Sequence, residues 1–337
     1  MSLFPEIQPR ETGFLETADG HRIYWERCGK AGGVPLVFLH GGPGSGCTPT
    51  HRRYFNPDVF DIVLFDQRGC GRSRPLFDIA SNTTQHLIGD LEALRCLFGF
   101  ERWIVGGASW GSTLSLAYAQ THPDVVAGLF VEGVFLSTGA ELAWWHAVPG
   151  VPSLFPDAFA DFLGNGNAPQ AQKISDFFAA SVADMQAELA SGLSALRRIE
   201  DAATSIEDLR HSLLYRWTEY EERISWIEKK PEEARQSMAA RGLDYIVSHS
   251  LIEAHYFANN CFLEDDQLLR NAGRMMDIPV EIIQSRYDVV CPVQAAWRLR
   301  TACPGSRLSI INANGHAMTN KVYPALQAAL MRLAKSF

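Results

Sequence analysis

The sequence predicts an α/β fold, a mostly parallel sheet flanked by helices and interrupted by an inserted helical cap. Three observations carry that reading. Residues 1–135 alternate short apolar runs with helical patterns, as βαβ units do. Between 137 and 263 strand patterns vanish, and Ala, Glu, Trp and Leu recur at helical spacing. Strand patterns then return. The expected organisation is a first part of the core at 1–136, a helical cap at 137–263, and a second part of the core at 264–337.

Taken in order, the runs at 35–40 (PLVFLH), 60–66 (FDIVLFD), 102–106 (RWIVG) and 128–132 (GLFVE) are continuous apolar stretches, the pattern of parallel strands buried on both faces. A helix is expected over 84–98, where Leu87, Leu91, Leu94 and Phe98 form one stripe and Asn82 or Thr83 is placed to cap it. A second is expected over 110–120. After the cap, 279–284 (PVEIIQ) and 307–312 (RLSIIN) read as strands, and a last helix runs from 324 to the end. An insertion of this kind commonly roofs an active site.

The chain has 337 residues, about twice the usual size of one domain. Lys and Arg number 30 against 38 Asp and Glu, a net charge of −8, so the basic surplus that binds nucleic acid or anionic lipid is missing. No apolar run approaches the roughly 20 residues of a membrane span, and the first residues lack the pattern of a secretion signal, so a cytoplasmic location is expected. The seven cysteines are odd in number, scattered and without a CxxC pair, which reads as reduced thiols rather than a disulfide framework or a zinc site.

Gly107-Ala108-Ser109-Trp110-Gly111 is a G-x-S-x-G placed between an expected strand and an expected helix, the context in which a serine is presented as a nucleophile. The turn must be tight, and Gly107, Ala108 and Gly111 supply the small residues it needs. Nucleotide-binding alternatives fail on residues. The run at 106–113 lacks the Lys of a P-loop, and Cys47 stands where GGPGSGC would need its last glycine. In the α/β hydrolase order an acid and then a His follow the nucleophile. Asp288 in SRYDVVCP and His316 in NANGHAM each fall just after an expected strand and fill those roles, whereas His40, His122, His249 and His255 read as structural or pocket residues. The oxyanion of an acyl intermediate needs backbone donors, assigned to the amides of Gly42, in the glycine loop after PLVFLH, and of Trp110, after the nucleophile. No metal motif and no organic cofactor site is present in the pattern, so none is expected.

With these residues in place, the sequence resembles the prolyl iminopeptidases, serine peptidases of the α/β hydrolase superfamily that remove an N-terminal proline. The resemblance runs through DGHRIYWERCG at 19–29, HGGPGSGC at 40–47, FDQRGCGRS at 65–73, NTT at 82–84, GASWGSTLSLAYAQTHP at 107–123 and RYDVVCP at 286–292. It implies that cap carboxylates hold the substrate amine, and carries that role onto Glu221 and Glu253. The residues agree: on a helix over 214–227, Leu214, Trp217, Glu221 and Ile224 share an apolar stripe while Glu219 and Glu222 point elsewhere. Glu253 lies in an apolar stretch, where an acid needs a partner or an upward pKa. A solvated helix charge for Glu221 and an internal salt bridge for Glu253 are the alternatives.

Phe135 matches a pocket aromatic of the family. Two positions depart from it: Glu132 stands where members usually carry Arg, and Trp145 where a Tyr is usual. Both are expected at the substrate pocket, with Glu132 crowding Glu221 and Glu253. The expected activity is a serine aminopeptidase releasing an N-terminal residue, most often proline, from a small peptide or amide with a free amine. The alternatives are an esterase or amidase on the same scaffold, an aminopeptidase with another first-residue preference, and a non-catalytic binding protein. With an ordinary imidazole as base, activity is expected to fall below about pH 6.5. Cys291, close to Asp288 in sequence, reads as a buried bystander.

Overall fold

The computed structural model describes residues 3–196 and 211–337. Its strands are β1 (Glu11–Glu16), β2 (Arg22–Gly29), β3 (Val34–Leu39), β4 (Phe60–Phe65), β5 (Trp103–Ala108), β6 (Val126–Glu132), β7 (Val280–Ser285) and β8 (Arg307–Ile311). They form one sheet in the order β1-β2-β4-β3-β5-β6-β7-β8. The β1/β2 and β2/β4 pairings are antiparallel and the others parallel.

The central strands are mostly apolar because each serves two cores. Leu36, Phe38, Ile62, Leu64, Ile104, Phe130 and Ile283 point to one face; Val37, Leu39, Val63, Phe65, Val105, Val131 and Ile282 point to the other. The antiparallel pair β1 and β2 was not foreseen. In β2 the charged residues Arg22, Glu26 and Arg27 interrupt the apolar run that marks the other strands, and Glu26 is nevertheless buried, bound by Arg52 at 2.6 Å and by Arg72 at 3.0 Å.

The core helices are α1 (Thr84–Leu97) and α2 (Trp110–Thr121). The Thr83 side chain caps α1, accepting from the His86 amide, while Asn82 instead donates to the Arg68 and Asp78 carbonyls. Between β6 and β7 come α3 (Gly139–His146), α4 (Val151–Leu154), α5 (Pro156–Leu163), α6 (Ile174–Leu196), α7 (Leu213–Ile224), α8 (Pro231–Arg241), α9 (Leu243–Ala258) and α10 (Gln267–Arg270). The expected helical stretch at 137–263 contains α3 to α9; its residues 197–210 lie outside those described. The chain closes with α11 (Val293–Ala302) and α12 (Tyr323–Ser336). α12 packs Leu326, Ala329, Leu330 and Leu333 against the face that carries Phe130.

The inserted helices have an aromatic core in which His146 sits among Phe162, Phe178, Trp217 and Tyr220. Burial pushes its imidazole down to about 3, so it serves there as a neutral ring. Arg223 of α7 bridges Asp157 and Asp161 of α5 at 2.6 and 2.5 Å. α7 ends at Ile224, earlier than the expected 227, with Ser225 as its C-cap.

Close approach of β5 to β6 depends on Gly106, where a Cβ would stand 2.3 Å from both the carbonyl and the ring of Phe130. Gly106→Ala is expected to destabilise the fold by roughly 1–3 kcal/mol. Gly89→Ala, exposed on α1 with nothing within 4 Å, is expected to stabilise it by about 0.5–1 kcal/mol. Urea unfolding midpoints should move in opposite directions; movement in the same direction would refute this account of the β5–β6 contact.

Candidate active site

Ser109 sits between the end of β5 and the start of α2, with φ 57° and ψ −124°, a conformation that side chains rarely adopt. Its neighbours show why the turn is built of small residues. A Cβ on Gly107 or Gly111 would meet the Leu39 carbonyl oxygen at 2.4 or 2.0 Å, so α2 starts directly against the end of β3. The Ser109 amide donates to the Glu132 carbonyl at 2.9 Å, fixing the turn to the end of β6.

The next residue, Gly133, abuts the other half of the site: a Cβ there would lie 3.3 Å from Cε1 of His316. The His316 Nδ1–H donates to Asp288 Oδ2 at 2.9 Å, because a carboxylate only accepts, which leaves Nε2 free for a second proton exchange. Asp288 is fully buried and held by the amides of Val290 and Cys291, at 3.0 and 2.7 Å, and by Gln284 Nε2 at 3.3 Å. Gln284 also accepts from the Val134 amide at 2.9 Å and so ties the ends of β6 and β7 together. Sequence reading missed this glutamine, although it ends the PVEIIQ run.

Burial disfavours the His316 imidazolium, but Asp288 outweighs it and holds His316 well above the usual imidazole range. This corrects the expectation of an ordinary imidazole. Cys291 also stands closer than a bystander would: its Sγ, His316 and Asp288 place ligand atoms within 4.8 Å of one another. Burial pushes its thiol up to about 12, so it faces His316 as a neutral S–H.

The glycine loop passes beside Ser109, and a Cβ on Gly41 would lie 3.4 Å from the Ser109 Cβ. Gly42 follows at φ 103°, open to glycine alone. Trp110 is the first residue of α2, so its amide belongs to the turn whose N–H groups the helix leaves unused. Gln67 couples the two elements: it accepts from Trp110 Nε1 at 2.9 Å, donates through Nε2 to the His40 carbonyl at 2.9 Å, and donates its amide to His40 Nε2 at 3.0 Å. His40 must be neutral to accept that bond, and burial pushes it down to about 4.

Over this centre lie the inserted helices. Trp144 and Trp145 of α3 donate their indole N–H groups to the Val289 and Val290 carbonyls at 2.8 and 2.7 Å, clamping the Asp288 loop. Phe257 of α9 has Trp145 and Phe135 as ring neighbours at 5.5 and 6.1 Å. Phe135 itself is held by Ser112 and Thr113, in the first turn of α2.

Glu221 of α7 and Glu253 of α9 come together with His249 so that one ligand atom of each lies within 4.8 Å of the others. Glu253 is fully buried; Oε2 accepts from Trp217 Nε1 at 2.5 Å, while Oε1 is buried with no donor. Burial and the charge of Glu221 push the Glu253 carboxyl well up. Burial also opposes the Glu221 charge, but His249, in contact through Nε2, outweighs it and holds the carboxyl below its ordinary value. The two acids are thus driven apart, Glu221 toward its ionised form and Glu253 toward its neutral one. The charge of His316 favours the ionised form of both acids.

Glu219 lies outside the Glu221–Glu253 cluster, buried and paired with Arg235 of α8 at 2.6 Å. One position differs from expectation. Glu132 does not crowd the cap acids. It stands two residues after Phe130 on β6 and so on the same face, and the charges that bear on it are His316 and Asp288. Its Oε1 has no hydrogen-bond partner, and burial pushes its carboxyl up to about 8, so it is mostly neutral at pH 7.

Residues 34–318 match the alpha/beta hydrolase fold family. The chain is 38% identical over 324 residues to a proline iminopeptidase of Neisseria meningitidis, covering 96% of each chain, and 40% identical over 326 residues to one of Xylella fastidiosa, covering 94% of each. It is 36% identical to a proline iminopeptidase of Arabidopsis thaliana, over 98% of this chain and 80% of that one. Among solved structures, an esterase of Exiguobacterium antarcticum superposes with a TM-score of 0.63 at 18% identity, over 96% of this chain and all of that one, a likeness of fold.

An imidazole must be neutral to accept a proton, so a base held well above the ordinary range is lost earlier as pH falls. The acid limb of kcat/KM is therefore expected above the ordinary value of about 6.5. Asp288→Asn should lower kcat by on the order of 10⁴-fold and move that limb downward. A limb that does not move in Asp288→Asn would contradict the Asp288–His316 assignment.

Proposed function

This chain belongs to the proline iminopeptidase family of the α/β hydrolase fold, and from that premise we propose that it is a serine aminopeptidase releasing an N-terminal proline from short peptides or amides. His316 takes the proton of the Ser109 hydroxyl as Oγ attacks the first carbonyl, and Asp288 stabilises the imidazolium that forms. The amides of Gly42 and Trp110 receive the oxyanion. Collapse breaks the amide bond, and His316 delivers its proton to the departing amine. Water then attacks the acyl-enzyme with His316 again as base, freeing proline and Ser109.

What supports an aminopeptidase, rather than an esterase alone, is the acid pair. Glu221 is driven toward its ionised form, and Glu253 Oε1 is buried and left without a donor. A substrate ammonium supplies both the missing donors and the missing positive charge. Phe135, Trp145 and Phe257 offer an apolar wall to the ring of the first residue. Glu132, neutral behind His316, adds no charge to the amine site at neutral pH.

The test is kcat/KM on Pro-, Ala- and Leu-naphthylamides, acetyl-Pro-naphthylamide and p-nitrophenyl acetate. Free Pro-naphthylamide should exceed its acetylated form by 100-fold or more, roughly the value of a charge-assisted contact and its lost partner. Ser109→Ala should lower every rate by on the order of 10⁴-fold or more. Glu221→Gln and Glu253→Gln should lose more on the free-amine substrate than on the ester. Turnover of the ester alone, or of Ala and Leu ahead of Pro, would replace the proline assignment.

A further inference from the structure

The acid pair is organised by a residue outside the mechanism above. His249 lies on α9 one turn before Glu253 and is buried, 2% exposed. Its two ring nitrogens reach two different parts of the molecule. Nε2 contacts Glu221 Oε2 on α7, and Nδ1 lies 3.2 Å from Ser45 Oγ in the glycine loop. Glu221 can only accept, so Nε2 carries a proton; Nδ1 then accepts the Ser45 O–H when the ring is neutral and donates to Ser45 Oγ when it is charged. Either charge state keeps both contacts. The ring is packed against Tyr245, 5.2 Å away, over whose ring the Arg241 guanidinium lies. Arg241 in turn donates to the Ser45 carbonyl at 2.7 Å, and the neighbouring Ser248 donates to the Gly44 carbonyl at 3.0 Å.

We propose that His249 is the positioning residue for amine recognition, holding Glu221 in place as the carboxylate that meets the substrate ammonium, with its own ring locked by Ser45. Two carboxyl groups this close disfavour a double charge and have no intrinsic reason to place a single one on either oxygen pair. His249 removes that freedom. With its N–H on Glu221, the charge sits on α7 and the proton on Glu253, and the site presents one acceptor and one neutral carboxyl in fixed order. Without it, the proton is free to move between the acids, and Glu221 loses the contact that sets its rotamer. The inference rests on the aminopeptidase reading for its substrate class, but the amine site can be examined without peptide cleavage.

The experiment is inhibition of p-nitrophenyl acetate hydrolysis by pyrrolidine, a secondary ammonium at neutral pH, in the full chain. The unaltered protein should be inhibited competitively. His249→Asn keeps an amide near the Nδ1 position but cannot reach Glu221, and should raise the pyrrolidine Ki at least tenfold while ester kcat/KM falls by less than threefold. His249→Gln, whose amide nitrogen can take the place of Nε2, should recover most of the lost affinity. Ser45→Ala, which unlocks the ring without touching either acid, should raise Ki by a smaller factor and serves if His249→Asn does not fold. An unchanged Ki in His249→Asn or Ser45→Ala, equal losses in Ki and ester turnover, or no pyrrolidine inhibition of the unaltered protein would each overturn the proposal. Failure of the peptidase reading looks different: pyrrolidine inhibits, and Pro-naphthylamide is not cleaved.

Discussion

The contact on which the site depends is backbone against backbone. The Leu39 carbonyl, at the end of β3, occupies the space where Gly107 and Gly111 would carry side chains. This brings the first turn of α2 onto the last residue of β3, so that the glycine loop leaving β3 and the amide of Trp110 come side by side. Ser109 is forced to positive φ between them. Strain at one residue is sustained because the surrounding strands and α2, buried from Trp110 to Gln120, leave no room to relax.

Charge inside this frame is handled by pairing rather than by exposure. Asp66 accepts from the Cys47 amide and from Arg72, Glu26 is held by Arg52 and Arg72, and both anchor the loop that precedes or follows the glycine run. Groups that have no ion partner are kept neutral instead, as with His40, His146 and Glu132. The Asp288–His316 pair on the core and the Glu221–His249 contact on the inserted helices each join a carboxylate to an imidazole.

Much of this was legible in the sequence where a local rule applied. The parallel strands announced themselves as apolar runs because they are buried on both faces, and G-x-S-x-G, Asp288 and His316 could be placed because each follows such a strand. β1 and β2 were not legible, since the paired charges on β2 conceal a buried strand. Gln284 and His249 escaped for a different reason. Their roles come from residues far away in the chain, Val134 and Asp288 for one, Glu221 and Ser45 for the other, and no spacing rule reports such meetings. The misplacement of Glu132 has a simpler cause: the strand period of two sends it to the side of Phe130, away from the cap acids.

The inserted helices look like a separate module in the chain, yet α9 is moulded onto the core. A Cβ on Gly44 would lie 2.5 Å from the Ser248 carbonyl, and Ser248, His249 and Arg241 all bond to the loop at Gly44 and Ser45. Such a roof cannot be exchanged between homologous enzymes as a cassette, because the foreign helix would have to arrive with its own matching glycine loop. A change of cap would therefore have to come with a matching change in the loop at Gly44 and Ser45.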